Sequence, residues 1–135
     1  SVSIKEIQEF EKNSIINWIG DVQDINIELC NSDIMLFPSL YGEGVPKILL
    51  EAASCSLPII TFDVPGCREV VINNKNGFLV KVQEKKQLIS KLKQLISDRN
   101  LRETMGIEGR KLIIKNFLSD KMSEQTIQIW KQNNI

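Results

Sequence analysis

The chain has 135 residues, 42% apolar and 25% charged, which excludes a disordered or fibrous chain and leaves room for one ordinary domain but not two. Lysine plus arginine equals aspartate plus glutamate at 17 each, so the whole chain lacks the positive field that a nucleic-acid binder carries. The absence of histidine removes Ser-His and Cys-His nucleophilic machinery, and three widely spaced cysteines (Cys30, Cys55, Cys67) predict buried reduced thiols rather than a zinc site or a disulfide framework.

Ser3 and Glu6 have the spacing of a capping box and predict a first short helix through about Phe10. A strand is expected at 15–18, and Asp24 can cap a helix reaching about Asn31. Strands follow at 34–37, 57–62 and 77–80. Between the first two of these, Pro46 sits where a first helical position prefers proline, and Pro58 bounds a helix that extends to Ser54. Helices between strand-length apolar runs are the pattern of a parallel sheet covered by helices. Beyond Val80, Leu88, Ile89, Leu92, Leu95 and Ile96 mark an amphipathic helix. Leu101, Met105, Leu112 and Ile113 mark a second, weakened by Gly106 and Gly109, and Ser119 or Asp120 can cap a last one carrying Met122, Ile129 and Trp130. The runs 34–37 and 57–60 are only four residues long, far below a membrane span.

Two further patterns concern the whole chain. No strand precedes the first helix and no charged-then-apolar leader follows Ser1, so the fold is expected to lack an N-terminal part and to carry no signal peptide. Charge is segregated: residues 1–80 hold 5 basic and 11 acidic side chains, and residues 81–121 hold 11 basic and 5 acidic. The basic part reads as a solvated helix face, with contact to anionic lipid head groups as the alternative.

Chemistry concentrates in residues 34–53, Ile-Met-Leu-Phe-Pro-Ser-Leu-Tyr-Gly-Glu-Gly-Val-Pro-Lys-Ile-Leu-Leu-Glu-Ala-Ala, a buried strand, a glycine-flanked loop and a helix. Ligands of open parallel sheets bind at such strand-to-helix edges. Gly42 and Gly44 let backbone approach a ligand, and a helix starting near Val45 turns its free N–H groups and positive dipole end toward a phosphate or diphosphate. The segment is neither a Walker loop nor a dinucleotide fingerprint, since Gly-Lys-Ser/Thr and a third glycine are both absent. Glu43 lies at the helix mouth and Glu51 eight residues on, about 12 Å away if the whole interval is helical. A carboxylate accepts two hydrogen bonds side by side, so Glu51 suits a ribose diol and Glu43 suits sugar hydroxyls beyond a diphosphate. The structural alternatives are a Lys47–Glu51 pair along the helix and an N-terminal acid stabilised by the dipole.

The stretch from Ser39 through Val71, followed by Asn76-Gly-Phe-Leu-Val, resembles the retaining glycosyltransferases of family 4, especially capsule and O-antigen enzymes, and holds both acids of their Glu-x7-Glu motif. The resemblance implies an α/β fold, the incomplete C-terminal half of a GT-B enzyme, with residues 1–118 a partial nucleotide-sugar-binding Rossmann-like domain and 119–135 a C-terminal helix. It implies that Glu43 is catalytic and holds donor-sugar hydroxyls, that Gly44, Val45 and Lys47 meet the sugar and distal phosphate, and that Glu51 binds the ribose. The loop holding Gly20 and Val22 would take the base. Arg68 and Glu69, after Gly66, either cap a helix or touch ligand. Pro46 departs from the glycine many members have there, and the family's Gly-Arg…Lys segment is absent.

On this resemblance the parent enzyme is cytoplasmic, with the inner face of the cell membrane as the further expectation, and transfers a hexose from a UDP-sugar, with no cofactor or metal, to a growing surface polysaccharide or lipid-linked saccharide. Its partners are the donor, the acceptor and a missing N-terminal acceptor domain, with peripheral membrane association and self-association as further expectations and no nucleic acid. The alternatives are a non-catalytic α/β interaction module and a GT-B nucleotide-sugar epimerase fragment. If the usual strand order 3-2-1-4-5-6 applies, the visible strands are the third to the sixth and the two central ones are missing.

Overall fold

The computed structural model describes residues 2–40 and 44–117. Helix α1 (Ile4–Lys12) opens with the expected capping box: Ser3 Oγ accepts from the Glu6 amide at 3.2 Å, and the Ser3 amide donates to Glu6 Oε2 at 2.8 Å. None of its residues is buried. Helix α2 (Ile25–Cys30) starts at Asp24, whose carboxylate accepts from the Asn26 amide at 3.0 Å. Strand β1 (Met35–Phe37), helix α3 (Lys47–Ser54), strand β2 (Ile59–Phe62), the short helix α4 (Pro65–Arg68) and strand β3 (Gly77–Val80) follow. Two longer helices, α5 (Lys85–Ser97) and α6 (Arg99–Phe117), complete the described part. The expected helix at 119–135 lies outside the described residues.

The sheet is parallel and runs in chain order, β1-β2-β3, with Met35 opposite Ile59 and Ile59 opposite Gly77. Consecutive strands in one row match the fourth to sixth strands of the anticipated order. The strand expected at 15–18 does not form. Ile15, Ile16, Trp18 and Ile19 are all exposed, and no described strand pairs with them. A local apolar run satisfies the pattern of a strand, but its ladder needs a neighbour.

Side-chain alternation along β2 divides the core in two. Ile59 packs with Leu49, Ala52, Ala53, Cys67, Val71 and Ile113 on the α3 side. Ile60 and Phe62 pack with Phe78, Val80, Leu95 and Met105 on the α5 side. Helix α6 serves both layers, placing Met105 in one and Ile113 in the other. That crossing explains why no single apolar stripe runs its length. The glycines expected to weaken α6 are its points of closest approach: a Cβ at Gly106 would stand 2.0 Å from the Ser56 carbonyl oxygen, and one at Gly109 would stand 3.3 Å from Asn76 Cβ. One turn on, the buried Arg110 donates from Nη1 to the Ser54 carbonyl at 2.7 Å and so caps the end of α3.

The cysteine expectation is corrected in one respect. Cys30, ending α2, and Cys55, just past α3, form a disulfide with their Cα atoms 5.0 Å apart, while Cys67 is a buried free thiol. Packing of α2 against α3 brings the two helix ends together, which a separation of 25 residues does not announce.

Candidate functional site

Because the strands are parallel, the loops after β1, β2 and β3 emerge at one edge of the sheet. The first leads through Gly44, at φ +74°, a conformation that strains any residue with a Cβ. The second enters α4 through Pro65 and Gly66. A Cβ on Gly66 would stand 2.0 Å from the Gly44 carbonyl oxygen, so the first turn of α4 rests directly against the loop ahead of α3. Between these two helix starts lies a cleft of about 330 Å³ lined by Gly44, Val45, Pro65, Gly66 and Glu69. A larger hollow, about 500 Å³, lies at the opposite edge among Cys30, Asp33, Cys55, Arg99 and Arg102, where no loop at the carboxyl ends of the strands reaches.

Helix α3 begins at Lys47, two residues later than expected, with Pro46 as its N-cap and no side-chain cap. The missing Pro46 N–H therefore falls outside the helical ladder, and the first-turn amides of Lys47 and Ile48 have no side-chain acceptor. The 43–51 interval is helical only from Lys47 onward, so the 12 Å spacing estimated for an unbroken helix does not apply. Gly44, Val45 and Lys47 are all exposed at this helix start. Glu43 and Gly42 lie outside the described residues.

Glu51 stands just over one turn inside α3. It is 6% exposed, on a helix whose neighbouring positions Leu49, Leu50, Ala52 and Ala53 are buried. Its carboxylate makes no hydrogen bond or ion pair with any described residue, and the pair with Lys47 that the spacing allows does not close. Burial pushes its pKa up; the Lys47 ammonium opposes this and the Asp24 carboxylate adds to it. Asp24, the acid that adds to this shift, caps α2 two residues after Val22. Gly20 has φ +65°, and Val22 is half-buried. Of the candidate residues described, Gly44, Val45 and Lys47 gather at the start of α3, and Glu51 lies just over one turn further along it.

Arg68 and Glu69 part company in the structure. Arg68 Nε pairs with Asp63 Oδ1, a contact that ties α4 to the end of β2. Glu69 borders the cleft. The Gly66 contact that positions α4 had no counterpart in the sequence reading, because a helix of four residues has too little length for a periodic signal. Among the described residues, no three histidine, cysteine, aspartate or glutamate side chains converge as metal ligands.

Residues 2–112 match the family described as Glycosyl transferases group 1. The chain belongs to that family. The Staphylococcus aureus protein named capsular polysaccharide biosynthesis glycosyltransferase CapM is 35% identical over 95 residues, which cover 70% of this chain and 25% of CapM. The chain therefore spans about a quarter of the length of this curated relative. The crystal structure of the C-terminal domain of the group 1 family protein LpcC from Francisella tularensis superposes with a TM-score of 0.68 at 25% identity, covering 84% of this chain and 60% of that domain. Anabaena HepE, solved in complex with UDP, gives a TM-score of 0.77 at 20% identity over 95% of this chain and 35% of HepE, a likeness of fold. The architecture is that of a GT-B glycosyltransferase C-terminal domain, of which the chain forms part.

Proposed function

We propose that this family member supplies the donor-binding half of a retaining glycosyltransferase that takes a UDP-activated hexose and extends a surface polysaccharide or lipid-linked saccharide. The observation that carries the reading is Glu51, a largely buried residue whose carboxylate has no hydrogen-bond or ion-pair partner among the described residues, on a helix whose start no side chain caps. An unpaired carboxylate on an otherwise buried helix suits a ligand that brings donors, and a ribose diol brings two. The amides and dipole at the α3 start suit a diphosphate. The capsular polysaccharide biosynthesis in CapM's name and the UDP held by HepE support the substrate class.

In this reading the bond from the sugar C1 to the diphosphate oxygen breaks, and UDP leaves with the electron pair. The acceptor hydroxyl then bonds to C1 on the same face and yields its proton to the departing phosphate. Gly44, Val45 and Lys47 hold the sugar and distal phosphate, Glu51 holds the ribose, Gly20 and Val22 flank the base, and Glu43 binds sugar hydroxyls as charge develops at C1. The test is turnover by the full-length protein with UDP-hexoses, with and without a saccharide acceptor, the product anomer being assigned by NMR. Transfer only when acceptor is present, with the donor's anomeric configuration retained, is the expected result. Epimerised donor without acceptor, inverted product, or no turnover with any UDP-hexose would overturn it.

A further inference from the structure

Helix α5 carries four lysines and no acidic residue. Lys91 turns inward, its ammonium 4.6 Å from the centroid of the Phe78 ring, alongside Leu88, Leu92 and the buried Leu95. The remaining positions divide the outer surface in two. At 3.6 residues per turn, Lys85, Lys86, Ile89, Lys93 and Ile96 fall within about 100° of the circumference, and Gln87, Ser90, Gln94 and Ser97 fill the next sector. Ile89 is 51% exposed and Ile96 is 61% exposed, two turns apart on the lysine side.

The neighbouring helix shows what a balanced solvent face looks like here. On α6, Arg99 pairs with Glu103 and Lys111 with Glu108. Among the described residues, no ion pair holds Lys85, Lys86 or Lys93. The acids nearest in sequence stand at the helix ends, Glu84 as N-cap and Asp98 as C-cap, the latter accepting from the Leu101 amide at 3.0 Å. The charge division along the chain acts in the same sense: an excess of six positive charges over residues 81–121 and of six negative over 1–80 would turn the α5 side toward an anionic plane.

We infer that the Lys85, Lys86, Ile89, Lys93 and Ile96 face of α5 docks on the surface of an anionic lipid bilayer. The ammonium groups meet lipid phosphates while the isoleucines enter the apolar boundary beneath them, the division of labour of an interfacial helix lying in the membrane plane. Nucleic acid fits less well, since this face offers no aromatic ring for a base to stack on and its isoleucines gain nothing from a phosphate backbone. The inference is independent of the donor-site assignment.

Co-sedimentation of the full-length protein with vesicles tests it, using phosphatidylcholine alone and phosphatidylcholine mixed with phosphatidylglycerol. Retention is expected only on the mixed vesicles and is expected to disappear in 1 M salt, where the Debye length is about 3 Å. Lys86→Ala combined with Lys93→Ala should weaken retention about 30-fold, since each lysine near such a surface contributes roughly a factor of five. Lys86→Arg with Lys93→Arg should retain it, and Ile89→Ser with Ile96→Ser should lower it several-fold without changing charge. All four positions are exposed, so these variants keep the fold. Equal retention on neutral vesicles, undiminished binding by the alanine pair, or full binding by the serine pair would each overturn the proposal, the last by reducing the face to a phosphate-binding surface.

Discussion

Glu51 is held where its own charge is disfavoured, and this has a measurable consequence without any ligand. Its pKa is raised in the folded state chiefly by burial, so the group favours folding at pH below its ordinary value, and that contribution disappears as pH rises through the raised value. At neutral pH the ionised carboxylate therefore destabilises the ligand-free fold. Glu51→Gln should raise the urea midpoint at pH 7, and the difference from wild type should shrink as pH approaches 4.5; a difference independent of pH would contradict the electrostatic account. Gly66 makes the complementary case, since any side chain there meets the Gly44 carbonyl. Gly66→Ala should cost about 1 to 3 kcal/mol through overpacking and displace the loop ahead of α3. Chemical denaturation checks the first effect and nucleotide titration the second.

At the scale of elements, the disulfide and α6 hold α3 from two directions. Cys30–Cys55 fixes the end of α2 to the end of α3, and Arg110 caps the same end of α3 from α6. Closing a loop of 25 residues stabilises by about 3.5 kcal/mol in the chain-entropy model. Reductant should therefore lower the unfolding free energy by about that amount, and the Cys30→Ser/Cys55→Ser variant should be insensitive to reductant; equal denaturation curves with and without reductant would contradict the pairing. Elements with strong local signals were legible in the sequence: the Ser3 and Asp24 caps, the strands near 35–37, 59–62 and 77–80, and the periodic α5. What escaped was determined by contacts across the chain. Residues 15–18 have the composition of a strand and no ladder partner, and α6 crosses from one core layer to the other on Gly106 and Gly109, so its apolar residues follow no single stripe.

At the scale of the molecule, apolar surface and an open sheet edge lie on the side of the early chain. Ile15, Ile16, Trp18 and Ile19 are exposed, and β1 pairs on one side only, with Leu36 exposed. Covering one such side chain stabilises by about 1.5 to 3 kcal/mol, and an unpaired edge offers its backbone groups to another strand. The 135-residue chain expressed alone should thus self-associate and transfer no sugar. Sedimentation velocity should show mass rising with concentration; a monomer at all concentrations would contradict this. The candidate site was legible where it is continuous in sequence, from Gly44 and Val45 in the loop ahead of α3 to Lys47 and Glu51 within it. The Glu69 side of the cleft was open to two readings, since only the fold sets α4 against Gly44.

The central claim is that Glu51 receives the ribose of a nucleotide, and calorimetric titration of UDP into the full-length protein and its Glu51→Ala variant tests it most directly. A contact between hydroxyls and a charged acceptor contributes about 1.5 to 3 kcal/mol, so the variant should bind UDP about 10- to 100-fold more weakly. Glu43→Ala should leave UDP affinity near wild type and lower turnover, because the role proposed for it is toward the sugar and not the nucleotide. Unchanged UDP affinity in a folded Glu51→Ala variant would contradict the account.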